Sequence, residues 1–86
     1  KAAQEGGLNP ETSRKLTLQT ALGAARLALA SDESPTELRR RVTSPGGTTE
    51  AAVEILNKKG CEKILIRAVH AARQRSVELA KLLGEQ

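Results

Sequence analysis

Thr43-Ser44-Pro45-Gly46-Gly47-Thr48-Thr49-Glu50 is the stretch of this sequence best equipped to hold a ligand. Two successive glycines free the backbone to turn and bring bare N–H groups close to a bound molecule. The hydroxyl residues that follow open a helix whose first N–H groups have no intrahelical partner. Those donors, with the positive end of the helix dipole, make a seat for an anion, and a carboxylate suits it as well as a phosphate. It is not a Walker loop, because the Lys-Ser/Thr pair and the four-residue spacing between glycines are absent. An ordinary loop ending in a helix cap fits the same composition.

The remaining candidates carry less. Arg39-Arg40-Arg41 could steer an anionic substrate or touch nucleic acid, but cations at the end of a short helix also simply favour its dipole. His70 is the single histidine and has no second ligand or neighbouring carboxylate to orient it. Cys61 sits where a helix start could lower its pKa, though a small apolar residue opening a helix is the plainer reading. Glu33/Glu37 and Glu50/Glu54 stand one helical turn apart and read as solvated helix faces. No nucleophile–base set and no metal-ligand set can be assembled from the chain, so composition alone names no reaction.

The elements that must position the loop are helical. Lys1 to Glu5 reads as a frayed helix end closed by Gly6-Gly7. Asn9-Pro10-Glu11 is a start signal, with Asn as N-cap, Pro at the first position and an acid in the first turn, opening a helix to about Ala30. Ser34-Pro35-Thr36-Glu37 repeats the device at capping-box spacing and opens a short helix through the arginine run. Val42 to Gly47 is a loop, a further helix covers about Thr49 to Lys58, and Gly60 precedes a long helix from about Cys61 to Leu83. In that last helix Cys61, Ile64, Leu65, Ala68, Val69, Ala72, Ser76, Leu79 and Leu83 form one stripe at helical spacing. No segment alternates with period two, so the class is all-α.

Leu16 to Ala30 carries one charge, Arg26, and its apolar residues fall on more than one face. Leu18, Leu22, Ala25 and Leu29 make one stripe, while Leu16, Gly23 and Leu27 make another. A helix apolar around most of its circumference must be buried on most sides. A few short helices cannot surround it in a monomer, so burial against a second copy is expected, in the commonest assembly, a twofold dimer.

Composition sets outer limits. Eighty-six residues make one small domain, of a size that buries only roughly 60% of its unfolded surface. Phe, Trp, Tyr and Met are all absent, so the core must be aliphatic and no side chain can stack on a base. Fourteen basic against ten acidic residues give a net charge of +4, too mild to define a partner. One cysteine permits no internal disulfide, which suits a reducing, cytoplasmic compartment. No apolar run is long enough to span a membrane. A start at Lys1 reads as a piece of a longer chain.

The motifs taken together carry a resemblance. Leu18-Gln19-Thr20-Ala21-Leu22-Gly23-Ala24-Ala25, Pro35 with Leu38-Arg39, and Val42-Thr43-Ser44-Pro45-Gly46-Gly47-Thr48-Thr49 with Ala51 resemble pyrroline-5-carboxylate reductase. So do Ala68-Val69-His70-Ala71-Ala72 and Arg75-Ser76-Val77-Glu78-Leu79, and the similarity runs over nearly the whole chain. Leu27 stands where a Met is common in that family.

The resemblance implies that residues 1–86 are the C-terminal helical dimerisation domain, a bundle interlocked with a second copy, with dimers gathering into larger rings. It implies an enzyme that reduces 1-pyrroline-5-carboxylate to L-proline in proline biosynthesis, with NADPH or NADH bound by a Rossmann-type N-terminal domain. No G-x-G-x-x-G occurs among the seven glycines, so no cofactor-binding residue and no activity are expected of this chain by itself. Carried over, the substrate carboxylate is held by Ser44, Gly46, Gly47 and Thr48, with the catalytic Thr49 hydroxyl near the ring nitrogen. The alternatives are a small basic helical nucleic-acid-binding module using Arg39–Arg41, and a pure self-association domain whose glycine loop is only a cap.

Overall fold

The computed structural model describes residues 1–84 and is built of helices alone. In order these are α1 (Ala2–Glu5), α2 (Pro10–Ala30), α3 (Pro35–Arg41), α4 (Thr48–Lys58) and α5 (Cys61–Gly84). They divide into two compact units, one of α1 to α3 ending at Val42 and one of α4 and α5 beginning at Thr43.

In the first unit the starts of α2 and α3 are written by side chains. Asn9 Oδ1 accepts the Thr12 amide at 2.8 Å, and Pro10 occupies the first position, where no N–H is needed. The turn before it closes through Gly7, at φ 107°, with the Leu8 amide donating to Ala3 O at 3.1 Å. This lays α1 against the start of α2 and buries Ser13, which is 5% exposed. At the far end of α2 the chain leaves through Ser31 in extended conformation, and Ser31 Oγ accepts the Glu33 amide at 3.1 Å.

The start of α3 departs from the expected reciprocal box in one respect. Ser34 Oγ accepts the Glu37 amide at 3.2 Å, as the spacing predicts. The Glu37 carboxylate does not reach back to its cap; both of its oxygens take the Arg40 guanidinium along the helix instead. A bidentate, charge-assisted pair outcompetes a single backbone amide. It holds the Glu37 carboxyl below the usual carboxylate range and raises Arg40. Arg41 pairs with Glu33, tying the end of α3 to the turn before it.

In the second unit α4 begins at Thr48, one residue earlier than expected, because the extended Gly47 serves as its N-cap. It ends where the Lys59 amide meets Ile55 O at 3.0 Å. Gly60 then turns the chain with φ 74° and lends its carbonyl to the Ile64 amide at 3.1 Å, the first bond of α5. The two helices pack on each other. The 24 residues of α5 span roughly 36 Å.

No apolar side chain among the described residues is buried. The five leucines of α2 all stand open, Leu29 to 87%. Along α5 the stripe residues Ile64, Leu65, Val69 and Leu83 are each more than half exposed. The periodicity therefore marks faces that the single chain leaves in water. No described helix is long and apolar enough to cross a membrane.

Candidate functional site

Ser44 begins a tight turn. Its carbonyl accepts the Gly47 amide at 3.0 Å, with Pro45 and Gly46 at the corners. Gly46 has φ 72°. A proline followed by a positive-φ glycine is the sequence a type II turn requires, so a side chain at position 46 would be strained. Gly47 is constrained differently: a Cβ there would stand 3.1 Å from Ser44 O, so the close return of the backbone leaves little room for one.

The turn delivers α4 with its first donors bare. The helix's first bond is the Ala51 amide to Gly47 O at 3.3 Å. The amides of Thr48, Thr49 and Glu50 precede it and have no partner within the helix. Gly47 has no side chain to cap them, and no side-chain cap is present. Three amides and the positive end of an 11-residue helix thus face a short loop, an arrangement that favours an anion. Thr48 is exposed, whereas Thr49 and Glu50 are half-buried.

Two loop amides are already engaged. Gly47 N–H serves the turn, and Gly46 N–H donates to Glu50 Oε1 at 3.1 Å. Glu50 is the third residue of α4, the position from which a glutamate usually reaches back to the N-cap amide. That amide is taken by Ser44, so the carboxylate engages the amide one residue earlier. Sequence reasoning treated Glu50 as part of a solvated face with Glu54 and missed this. The signal that could have found it was its place three residues after the extended glycine.

The other singled-out residues go elsewhere. Of the four carboxylates, Glu33, Glu37 and Glu50 are engaged in solvent-exposed contacts, which adds partners to their reading as solvated. Arg40 and Arg41 are matched by Glu37 and Glu33, which reduces the charge this run could offer to phosphates. His70 lies on α5 beside a shallow apolar hollow formed with Leu65, Ile66 and Val69. Cys61 is a half-buried free thiol at the start of α5. Among the described residues no group of three His, Cys, Asp or Glu side chains could hold a metal ion.

Fold and site together define a class: an all-helical domain with exposed apolar faces and a glycine turn at an uncapped helix start. Residues 1–79 match the family model described as pyrroline-5-carboxylate reductase dimerisation. The chain is 56% identical over 84 residues to a pyrroline-5-carboxylate reductase of Pseudomonas aeruginosa, covering 98% of this chain and 31% of that protein. It is 48% identical over 75 residues to one from Synechocystis, covering 87% and 28%. Among solved structures, a pyrroline-5-carboxylate reductase from Coxiella burnetii superposes with a TM-score of 0.84 at 49% identity, over 91% of this chain and 29% of that one. A pyrroline carboxylate reductase from Plasmodium falciparum, solved with NADP bound, gives 0.84 at 33% identity, over 87% and 30%. The chain belongs to the pyrroline-5-carboxylate reductase dimerisation family. It spans about 30% of the length of the relatives it matches.

Proposed function

We propose that this chain is the dimerisation and substrate-carboxylate-binding domain of a reductase that converts 1-pyrroline-5-carboxylate to L-proline. The observation that carries the proposal is the open start of α4, whose Thr48, Thr49 and Glu50 amides are left without helical or capping partners. A small carboxylate fits such a seat by charge and by hydrogen bonding. Ser44, Gly46, Gly47 and Thr48 form it, with Gly46 and Gly47 shaping the turn and the first amides of α4 doing the binding. Thr49, second in the helix, sets its hydroxyl toward the ring nitrogen. Holding a planar imine by its carboxylate and nitrogen is proximity catalysis and needs few acids or bases, which suits a chain without a catalytic constellation.

NADPH or NADH supplies the hydride in the whole reductase. The residues described here do not fit that cofactor, having neither a strand nor a G-x-G-x-x-G turn. Of this chain by itself we expect neither nicotinamide binding nor turnover. The exposed faces of α2 and α5 support a homodimer, with dimers gathering into larger rings, and the free Cys61 suits a cytoplasmic setting.

The test is Thr49→Ala in the full-length parent, followed as NADPH oxidation with pyrroline-5-carboxylate. Turnover is expected to fall by about tenfold or more, the size of effect removing one positioned hydroxyl produces, while the melting temperature stays close to that of the wild type. A variant as active as the wild type refutes the role of Thr49. A wild-type parent that oxidises no NADPH with this substrate refutes the function.

A further inference from the structure

We infer that Glu50 is a positioning residue for the carboxylate seat, acting through the Gly46 amide. The inference rests on the functional reading above and adds a residue to it. Glu50 Oε1 lies 3.1 Å from Gly46 N, and Gly46 holds the positive-φ corner of the turn. That corner decides where Gly47 stands, and Gly47 in turn decides the direction in which the first amides of α4 point. A loop with two adjacent glycines has many conformations to lose. The carboxylate selects one of them before any ligand arrives, which reduces the ordering cost of binding.

The arrangement also leaves the donors unblocked. A glutamate at this position would ordinarily satisfy the N-cap amide. Here the Ser44 carbonyl occupies that amide, and Glu50 is diverted to the residue before it. The resident carboxylate is thereby anchored beside the seat without taking the Thr48 or Thr49 amide. Two attributes of Glu50 could matter, its reach and its charge, and they oppose each other. Reach fixes the turn, while a negative charge near the seat repels a second carboxylate. The proposal assigns the role to reach.

Two substitutions in the full-length reductase separate these attributes. Glu50→Gln keeps the length and an acceptor oxygen but loses the charge. Glu50→Asp keeps the charge and its favourable place in the first helical turn, but is one methylene too short to reach Gly46. The expected result is a KM for pyrroline-5-carboxylate raised roughly tenfold in E50D, as the loss of one preorganising hydrogen bond would give. E50Q should stay within about twofold of the wild type or below it, and kcat should change little in either. A purely structural role would lower the melting temperature without this split. An unchanged KM in E50D, or an E50Q variant as impaired as E50D, overturns the proposal. A parent inert with this substrate would overturn the functional reading instead. The tie is then judged by hydrogen exchange of the Gly46 amide, slowed in wild type and E50Q and fast in E50D. Equal exchange in all three overturns it as well.

Discussion

A Ser-Pro dipeptide introduces both α3 and α4, and the two helices use it in opposite ways. At Ser34-Pro35 the serine is itself the cap, proline is the first helical residue, and a serine oxygen satisfies the Glu37 amide. At Ser44-Pro45 two glycines intervene, the dipeptide is spent on a turn, and the helix starts three residues after proline with a cap that has no side chain. The first start is closed by its own residues. The second is left open, at some cost to local stability, since glycine is a weaker cap than serine or aspartate. The difference teaches where to look for binding: at the helix start whose donors the chain declines to satisfy.

Closing the open start should have the largest effect. Gly47→Asp in the full-length reductase places a carboxylate on the bare amides and a Cβ 3.1 Å from Ser44 O. KM for pyrroline-5-carboxylate should rise by more than about tenfold, because an internal anion competes for the donors and repels the substrate. An unchanged KM would mean these amides are not the seat. Opening the closed start should have a smaller and purely structural effect. Ser34→Ala removes the α3 cap and should lower stability by about 1 kcal/mol in denaturant unfolding, with KM unaltered. A change in KM there would erase the contrast between the two starts.

The smallest effect belongs to the Glu37–Arg40 pair. Arg40 depresses the Glu37 carboxyl in the folded chain, so its contribution is present above the ordinary carboxylate range. It is lost as pH falls through the lowered folded value. The pair is exposed and screened, so the contribution is slight. Thermal unfolding of wild type and Glu37→Gln should differ a little near neutral pH and converge in acid. Curves that diverge in acid would contradict the sign.

Much of this was readable in the residues. Asn9-Pro10, Ser34-Pro35 and Gly60 mark three helix boundaries that fall where their backbone chemistry demands, and the three-and-four spacing of apolar residues marks the long α5. The loop was readable as a glycine turn before a hydroxyl-rich helix start, a composition that an anion seat and an ordinary cap share; that no side chain caps α4 is what the structure adds. What was not readable depended on competition. Glu37 could serve its cap or Arg40, and only the geometry of a guanidinium lying along the helix decides for Arg40. Glu50 could face water or reach back, and the outcome turns on Ser44 having claimed the Gly47 amide. Spacing lists the partners within reach; it does not rank them. The Glu33–Arg41 pair, eight residues apart, lies beyond any local rule because it depends on how the turn after α2 folds.

The open apolar faces have a consequence for how such a chain comes into being. Apolar area stabilises a fold only when it leaves water, by about 25 cal/mol per Å², and here no described apolar side chain is fully buried within one chain. On the proposed dimer, the event that forms the core is an encounter between two molecules. Native structure is then a property of a population: its folded fraction and melting temperature rise with concentration, and dilution is a denaturant. A newly made chain must find another before it is finished, so the rate of its maturation scales with how often its own kind is being made nearby.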